Sequence, residues 1–461
     1  MAGEQAKFVE GNLFRHLSVM ALSSSVGLIA VFIVDLINMV YISWLQDHVL
    51  TAALGYAGAV LFFTTSFGIG ISIGVSALVS QAVGQRDPKL ARERVTEGLV
   101  LSLVLGSLFS ALVFVLLPQI VDLLGAKGRT AEETLGFLRL YTASQPLLIA
   151  AIVCAAVLRS HGEARRAMMV TVWGAVVLAA LDPVLILWAD WGLTGAAVAG
   201  AGSRAAMAIM ALWAVRRRIG GFSQVTGEGL RLGLAPLLAI AFPAILTQLA
   251  TPVGQALVTR MVAGYGEAAV TGMAIAGRLT PVALGVVFAM TGAIGPIIGQ
   301  NLGAGRMDRV RRVFIDGLIF TGLVILVVSA LLFLLRAPIA DLFHAEGHVR
   351  DLVYLFCGPL ALLWFFNGII FVGNAVCNNL GRPFWSTIVN WGRHTVGTIP
   401  LALWLSGTWG AAGVLVGQAL GGVVFGLAAA WFALLAIRSP VIAAPRGHKP
   451  EQPPVEAGAE G

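Results

Sequence analysis

The chain has 461 residues, 58% of them hydrophobic and 11% charged, with a mean hydropathy of +0.88 and a net charge of +7. Soluble domains carry roughly a quarter charged residues, so this composition cannot dress an aqueous surface. Three cysteines (Cys154, Cys357, Cys377) lie in apolar runs without metal-ligand spacing and read as small core residues, not as a disulfide or metal framework.

Taken in chain order, apolar runs of about 20 residues or more, long enough to span a bilayer, fall near 17–45, 51–80, 95–119, 133–158, 163–188 and 192–216, then 232–263, 267–302, 309–335, 350–379, 384–405 and 410–437. Runs of this length are helices, because lipid leaves no other open structure with its backbone satisfied. The first run is a full span rather than a cleaved signal. The reading divides the chain into a cytoplasmic N-terminal segment (1–14), a six-helix lobe (15–218), a glycine-rich linker (219–231), a second six-helix lobe (232–437) and a disordered tail (438–461).

The two lobes repeat each other. Gln81, Gly84, Arg92, Gly98 and Leu99 answer to Gln300, Gly303, Arg311, Gly317 and Leu318 at a constant offset of 219 residues, and Gly162 answers to Gly381. Six spans separate the copies, so both point the same way through the bilayer. An all-α polytopic protein follows, with two bundles related by an axis along the membrane normal and a cavity between them, the plan of a secondary transporter.

Basic residues set the orientation. Most of the 30 Lys and Arg fall on one side, including Arg86, Arg92, Arg94, Arg159, Arg165, Arg216, Arg311, Arg382 and Arg393. Only Lys127, Arg129, Arg260, Arg336 and Arg350 fall on the other. Both termini are therefore expected in the cytoplasm. The positive excess is a topology signal, so no nucleic-acid partner is expected.

Carboxylates at membrane depth are costly and mark function by default. Two lie well inside the runs, Asp35 in span 1 and Asp182 in span 5; the second half has none, and span 7 offers only Gln248 and Gln255. Desolvation disfavours the charged form of such a group, which suits proton uptake on one side and release on the other. Arg204, in span 6, needs a partner at that depth. An ion pair with Asp35 or Asp182 is one expectation, and a snorkelling or water-lining arginine is the other. Arg278 precedes Pro281 and is expected to bond backbone carbonyls at a bend. Met39, Met273, Met290, Phe288 and Gln255 are candidate substrate contacts, although methionines and aromatics at helical spacing are more often packing.

Several stretches look familiar together: VDLINMVYIS around Asp35, SQAVGQRDPKLARERVTEGL with its twin GQNLGAGRMDRVRRVFIDGL, LRSHGEARRA with NNLGRPFWS, LDPVLIL around Asp182, and GLTGAAVAG. They resemble the multidrug and toxic compound extrusion (MATE) family, in its DinF-like branch, over about residues 15–437. The resemblance implies two six-helix bundles around a central cavity. It also implies efflux of amphiphilic, often cationic drugs or metabolites in exchange for protons or sodium. The branch's coupling aspartates fall on Asp35 and Asp182, and its helix 4 tyrosine falls on Tyr141. We group Tyr141, Asn38 and Arg204 as cavity or counter-ion residues. The chain departs from the branch at Leu178, at Gly200, and in lacking a proline early in span 1, where Ser23, Ser24 and Ser25 stand instead. Without a second-half carboxylate, a proton gradient is expected to drive transport rather than sodium, with no cofactor and no metal.

Competing classes fare worse. A lipid-linked-sugar flippase would line its cavity with several basic residues. An intramembrane enzyme needs converging nucleophile, base or metal ligands at depth, yet no HExxH or GxSxG pattern occurs and the histidines, His394 included, read as lying near span ends or in loops. The expectation is a non-enzymatic transporter in a bacterial inner membrane, a monomer whose partners are small amphiphilic substrates and membrane lipids.

Overall fold

A computed structural model describes residues 6–44 and 47–441. Fifteen α-helices make twelve crossings, and no strand occurs among the described residues. The N-terminal lobe holds α1 (Leu13–Trp44), α2 (His48–Gly84), α3 (Pro88–Leu123), α4 (Gly128–Ala143), α5 (Gln145–Ser160), α6 (Ala164–Asp182) and α7 (Gly192–Ile219). The C-terminal lobe holds α8 (Gly227–Ala263), α9 (Glu267–Ala283), α10 (Gly285–Gly303), α11 (Met307–Leu342), α12 (Gly347–Leu355), α13 (Ala361–Asn379), α14 (Pro383–Gly392) and α15 (Thr398–Arg438).

Local chemistry sets the ends. Asp87 caps α3 by accepting from the Lys89 and Leu90 amides, with Pro88 at the first helical position. Thr226 caps α8 through the Gly229 amide. The α7 helix stops at Gly220 in the left-handed conformation, after Arg216, Arg217 and Arg218 in its last turn.

Breaks inside crossings explain why there are more helices than spans. The fourth crossing bends by 47° between α4 and α5, and the eighth is broken at Leu284 between α9 and α10. The fifth, tenth and eleventh widen into π-turns at Pro183–Trp188, Phe356–Leu360 and Arg393–Gly397. The 56-residue stretch Pro383–Arg438 is two crossings. At Gly410 the backbone leaves the helix with φ 56°. Beyond it Gly413 packs on Leu405, Gly417 on Ala402 and Gly421 on Gly397, the register of an antiparallel pair.

The lobes meet around the repeated Gln-x-x-Gly motifs. A Cβ on Gly84 would overlap the backbone of Gln300, and one on Gly303 would overlap the backbone of Gln81. Each copy of the motif thus seats the other copy's glutamine backbone, as a two-fold relation requires. Gln81 donates to the Asn379 carbonyl at 3.1 Å, and Gln300 to the Ser160 carbonyl at 2.7 Å. Farther in, α2 and α8 run antiparallel, with Gly70 against Ile245 and Gly74 against Leu237. These contacts all occupy the half of the molecule next to the basic loops.

The segment before α1 strengthens that end. Phe8 is buried with the C-terminal-lobe core while Ala6 and Val9 pack into the N-terminal-lobe core. The Phe8 amide donates to Gln300 Oε1 at 2.9 Å, and its carbonyl accepts from Asn301 and Arg309. Lys7 donates to the Gly162 carbonyl on the first lobe. The sequence reading gives residues 1–14 only as a cytoplasmic N-terminal segment; the described part before α1 is a staple across both lobes.

Candidate functional site

Each lobe has one polar centre at membrane depth. In the first lobe, Asp182 closes α6 where Pro183 removes a backbone donor and the helix widens. The residue is only 1% exposed. Asn38 on α1, 144 residues away in sequence, donates its Nδ2 to Asp182 Oδ2 at 2.9 Å. The pair therefore joins spans 1 and 5, which pack along each other. Asp35 lies one turn before Asn38 on α1; its side chain, like that of Met39, lies outside the described residues.

Arg204 does not join this pair. Its Nη1 donates to the Tyr141 carbonyl at 2.6 Å and to Ser144 Oγ at 2.9 Å, and its guanidinium lies 3.9 Å from the Tyr141 ring centroid. No carboxylate touches it among the described residues. This corrects the snorkelling expectation and the ion pair with Asp182; the pair with Asp35 falls on a side chain outside the described residues. The physical reason is the break after Ala143: a helix end inside the bilayer exposes carbonyls that need donors, and an arginine satisfies them. Tyr141 also lies on Gly200, where a Cβ would overlap the ring. The glycine thus makes room for Tyr141 rather than for Arg204 itself.

The second lobe has a cationic centre instead. Arg393 and His394, which the sequence reading places with the basic loops and near a span end, open the π-turn in mid-crossing. Arg393 lies about 15 Å into its span at 1.5 Å per residue, and the two are only 8% and 5% exposed. Arg393 Nη1 donates to Asn367 Oδ1 on α13, and its Nη2 lies 2.6 Å from His394 Nε2. A guanidinium only donates, so His394 Nε2 accepts and the proton of a neutral ring sits on Nδ1. Arg393 Nε and His394 Nδ1 have no acceptor among the described residues. The signal was available: Arg393 stands at the centre of the run 384–405.

The candidate substrate contacts divide. Met290 is 1% exposed in the C-terminal-lobe core and receives a hydrogen bond from Thr321. Phe288 packs on Trp364 and Phe371 inside the same lobe, and Met273 packs against that lobe's core. The face of Met290 turns inward, whereas Phe288 and Met273 are half-buried. Gln255 is exposed and accepts from Gln418 Nε2 at 3.4 Å. Arg278 is exposed on α9, six residues before the break at Leu284.

The MatE family model matches residues 24–184 and again 243–404. The chain belongs to the MatE family. The two matches begin 219 residues apart, the offset of the internal repeat. MATE members are transporters, so this chain is a secondary transporter and not an enzyme. It is 27% identical to the FAD transporter of Shewanella oneidensis over 438 residues, covering 91% of this chain and 94% of that one. It is 21% identical to the multidrug export protein MepA of Staphylococcus aureus, covering 90% and 92%. The fold is similar to that of a mutant of the Vibrio cholerae MATE transporter VcmN, with a TM-score of 0.88 at 23% identity, covering 93% and 97%. It is also similar to a MOP superfamily transporter of Pyrococcus furiosus, with a TM-score of 0.87 at 20% identity, covering 95% and 98%.

Proposed function

We propose that this MATE transporter exports bulky amphiphilic drugs or metabolites in exchange for protons, by alternating access between its two lobes. The observation that carries the coupling is the Asn38–Asp182 hydrogen bond. The carboxylate is excluded from water and its Oδ2 accepts from the Asn38 amide, so a titratable group sits where spans 1 and 5 meet. The approach of spans 1 and 5 around it makes its protonation state a matter of helix packing. Asp35, one turn from Asn38, joins Asp182 as the second proton site in this reading. The positions of Asp35, Asp182 and Tyr141 support the DinF-like branch. Sodium is disfavoured because Asp316, the deepest carboxylate of the second lobe, is tied to Arg312 at 2.9 Å near the basic face.

Positive-inside charge supports an orientation with both termini on the cytoplasmic side of a bacterial inner membrane. The lobe contacts and the Phe8 staple then close the cytoplasmic side, and the outer halves of α2 and α8 face the exit path. The likeness to MepA supports drug export, and the likeness to an FAD transporter supports a metabolite cargo. The test is dye efflux in everted vesicles under an imposed pH gradient. Asp182→Asn and Asp35→Asn should each lose gradient-driven efflux; full efflux in both variants overturns the coupling assignment.

A further inference from the structure

The C-terminal-lobe centre has charge that its own lobe does not neutralise. Among the described residues of that lobe, Glu228 and Asp308 lie at the basic face, while Glu267, Asp341, Glu346 and Asp351 lie toward the far face. Asp316 is held by Arg312. Arg393 therefore stands in mid-membrane with one amide and one neutral imidazole as partners.

A structural arginine in this fold is treated differently. Arg204 has a backbone carbonyl, a hydroxyl and an aromatic face, the partners expected when the role is to close a broken helix. Arg393 and His394 instead keep two N–H donors, Nε and Nδ1, without acceptors on adjacent residues. A buried guanidinium is costly without an opposite charge, and an N–H left without an acceptor is one that a carboxylate or phosphate oxygen can fill.

The centre also lies near polar side chains that reach the molecular surface. His394 lies against Gly254, where any Cβ would overlap the ring. The next residue, Gln255, is exposed on the half of α8 beyond Ile245, where the described lobe contacts have ended. Gln255 and Gln418 are hydrogen-bonded to each other there. Gly422, one turn beyond Gln418, packs on Asn367, which holds Arg393. Exposed Gln255 and half-buried Gln418 thus lie close to the residues that hold the buried cation.

We propose that Arg393, His394 and Asn367, entered past Gln255 and Gln418, bind an anionic group of the transported amphiphile, a carboxylate or a phosphate. The inference rests on the chain being an exporter with its cargo held between the lobes. The cargo is then an acidic or zwitterionic amphiphile, with its charged end in the C-terminal lobe and its proton coupling in the other.

The test uses purified full-length protein in a non-ionic maltoside and two dansyl probes matched in chain length, one ending in phosphate and one in trimethylammonium. Wild type should bind the phosphate probe at least about tenfold more tightly. Arg393→Gln should lose that preference while Arg393→Lys keeps most of it. Gln255→Glu, at an exposed position that tolerates substitution, should weaken the phosphate probe and strengthen the ammonium one, so the proposal stays testable if Arg393→Gln does not fold. Equal binding of both probes by wild type, or an unchanged preference in Arg393→Gln or Gln255→Glu, overturns it. Displacement of the phosphate probe by equimolar phosphatidylglycerol assigns the anion to a lipid headgroup; resistance assigns it to a soluble amphiphile. Asp182→Asn should retain the phosphate preference, so a failure of proton coupling and a failure of this site give different results.

Discussion

The two lobes share a scaffold and differ in what they bury. At the junction the repeat is kept residue for residue: Gln81 and Gly84 face Gln300 and Gly303 reciprocally. At membrane depth the copies part. The position 219 residues after Asp35 is Gly254, the one after Asp182 is Leu401, and the one before Arg393 is Gly174. Spans 5 and 11 both widen into a π-turn, yet one opens after an aspartate and the other on an arginine. Positions that hold two copies of a motif against each other are constrained by contact on both sides. Positions away from that junction are free to take opposite charges. The result is one anionic and one cationic centre in a symmetric frame.

That contrast can be broken from either side. The largest effect is expected from Asp182→Asn, which should abolish pH-gradient-driven efflux in vesicles while leaving substrate binding measurable. Efflux at the wild-type rate would remove the first lobe's special role.

Next comes the shared junction. Phe8→Ala removes a fully buried ring, and large-to-small changes of this kind cost about 3–5 kcal/mol when the site cannot collapse. The staple should loosen, with a lower unfolding temperature and faster thiol labelling of a cysteine placed at Ser160. A Gly303→Val variant should act in the same direction by forcing a side chain into the Gln81 backbone, at a cost of about 1–3 kcal/mol from overpacking. Unchanged labelling in both variants would mean that this end of the molecule is not held by the repeat.

The smallest functional effect is expected from Arg204→Ala. It removes hydrogen bonds from a charged donor at the α4 end, worth about 1.5–3 kcal/mol each, and should lower thermal stability. Because Arg204 touches Tyr141 and Ser144 rather than a carboxylate, the pH profile of transport should keep its shape. A shifted profile would reconnect Arg204 to the proton sites.

Much of this architecture was legible beforehand. The twelve crossings follow from hydropathy along the chain, and the hairpin at Gly410 divides a 56-residue helical stretch between runs 384–405 and 410–437. The repeat offset was visible as a spacing, although its meaning, two glutamine backbones seated on two glycines, was not. Asp182 was singled out by depth alone, and the structure buries it beside Asn38. The same signal was present for Arg393 but was outweighed by its place in a tally of basic residues. The Phe8 staple left no mark at all, because a short segment ahead of the first span carries no sign of burial until the surface that receives it is known.

Hydropathy and local capping act over a few turns, so the sequence by itself determined where the helices lie, how they are duplicated and which charges are submerged. Partners at depth are a different matter. Asn38 meets Asp182 across 144 residues and Arg204 meets Tyr141 across 63. Such meetings depend on the rotation of each helix about its axis and on breaks at residues such as Ser144 and Pro183. Packing of whole lobes sets those angles, so only the tertiary structure decided that the aspartate takes an amide, Arg204 takes a helix end, and Arg393 is left with donors to spare.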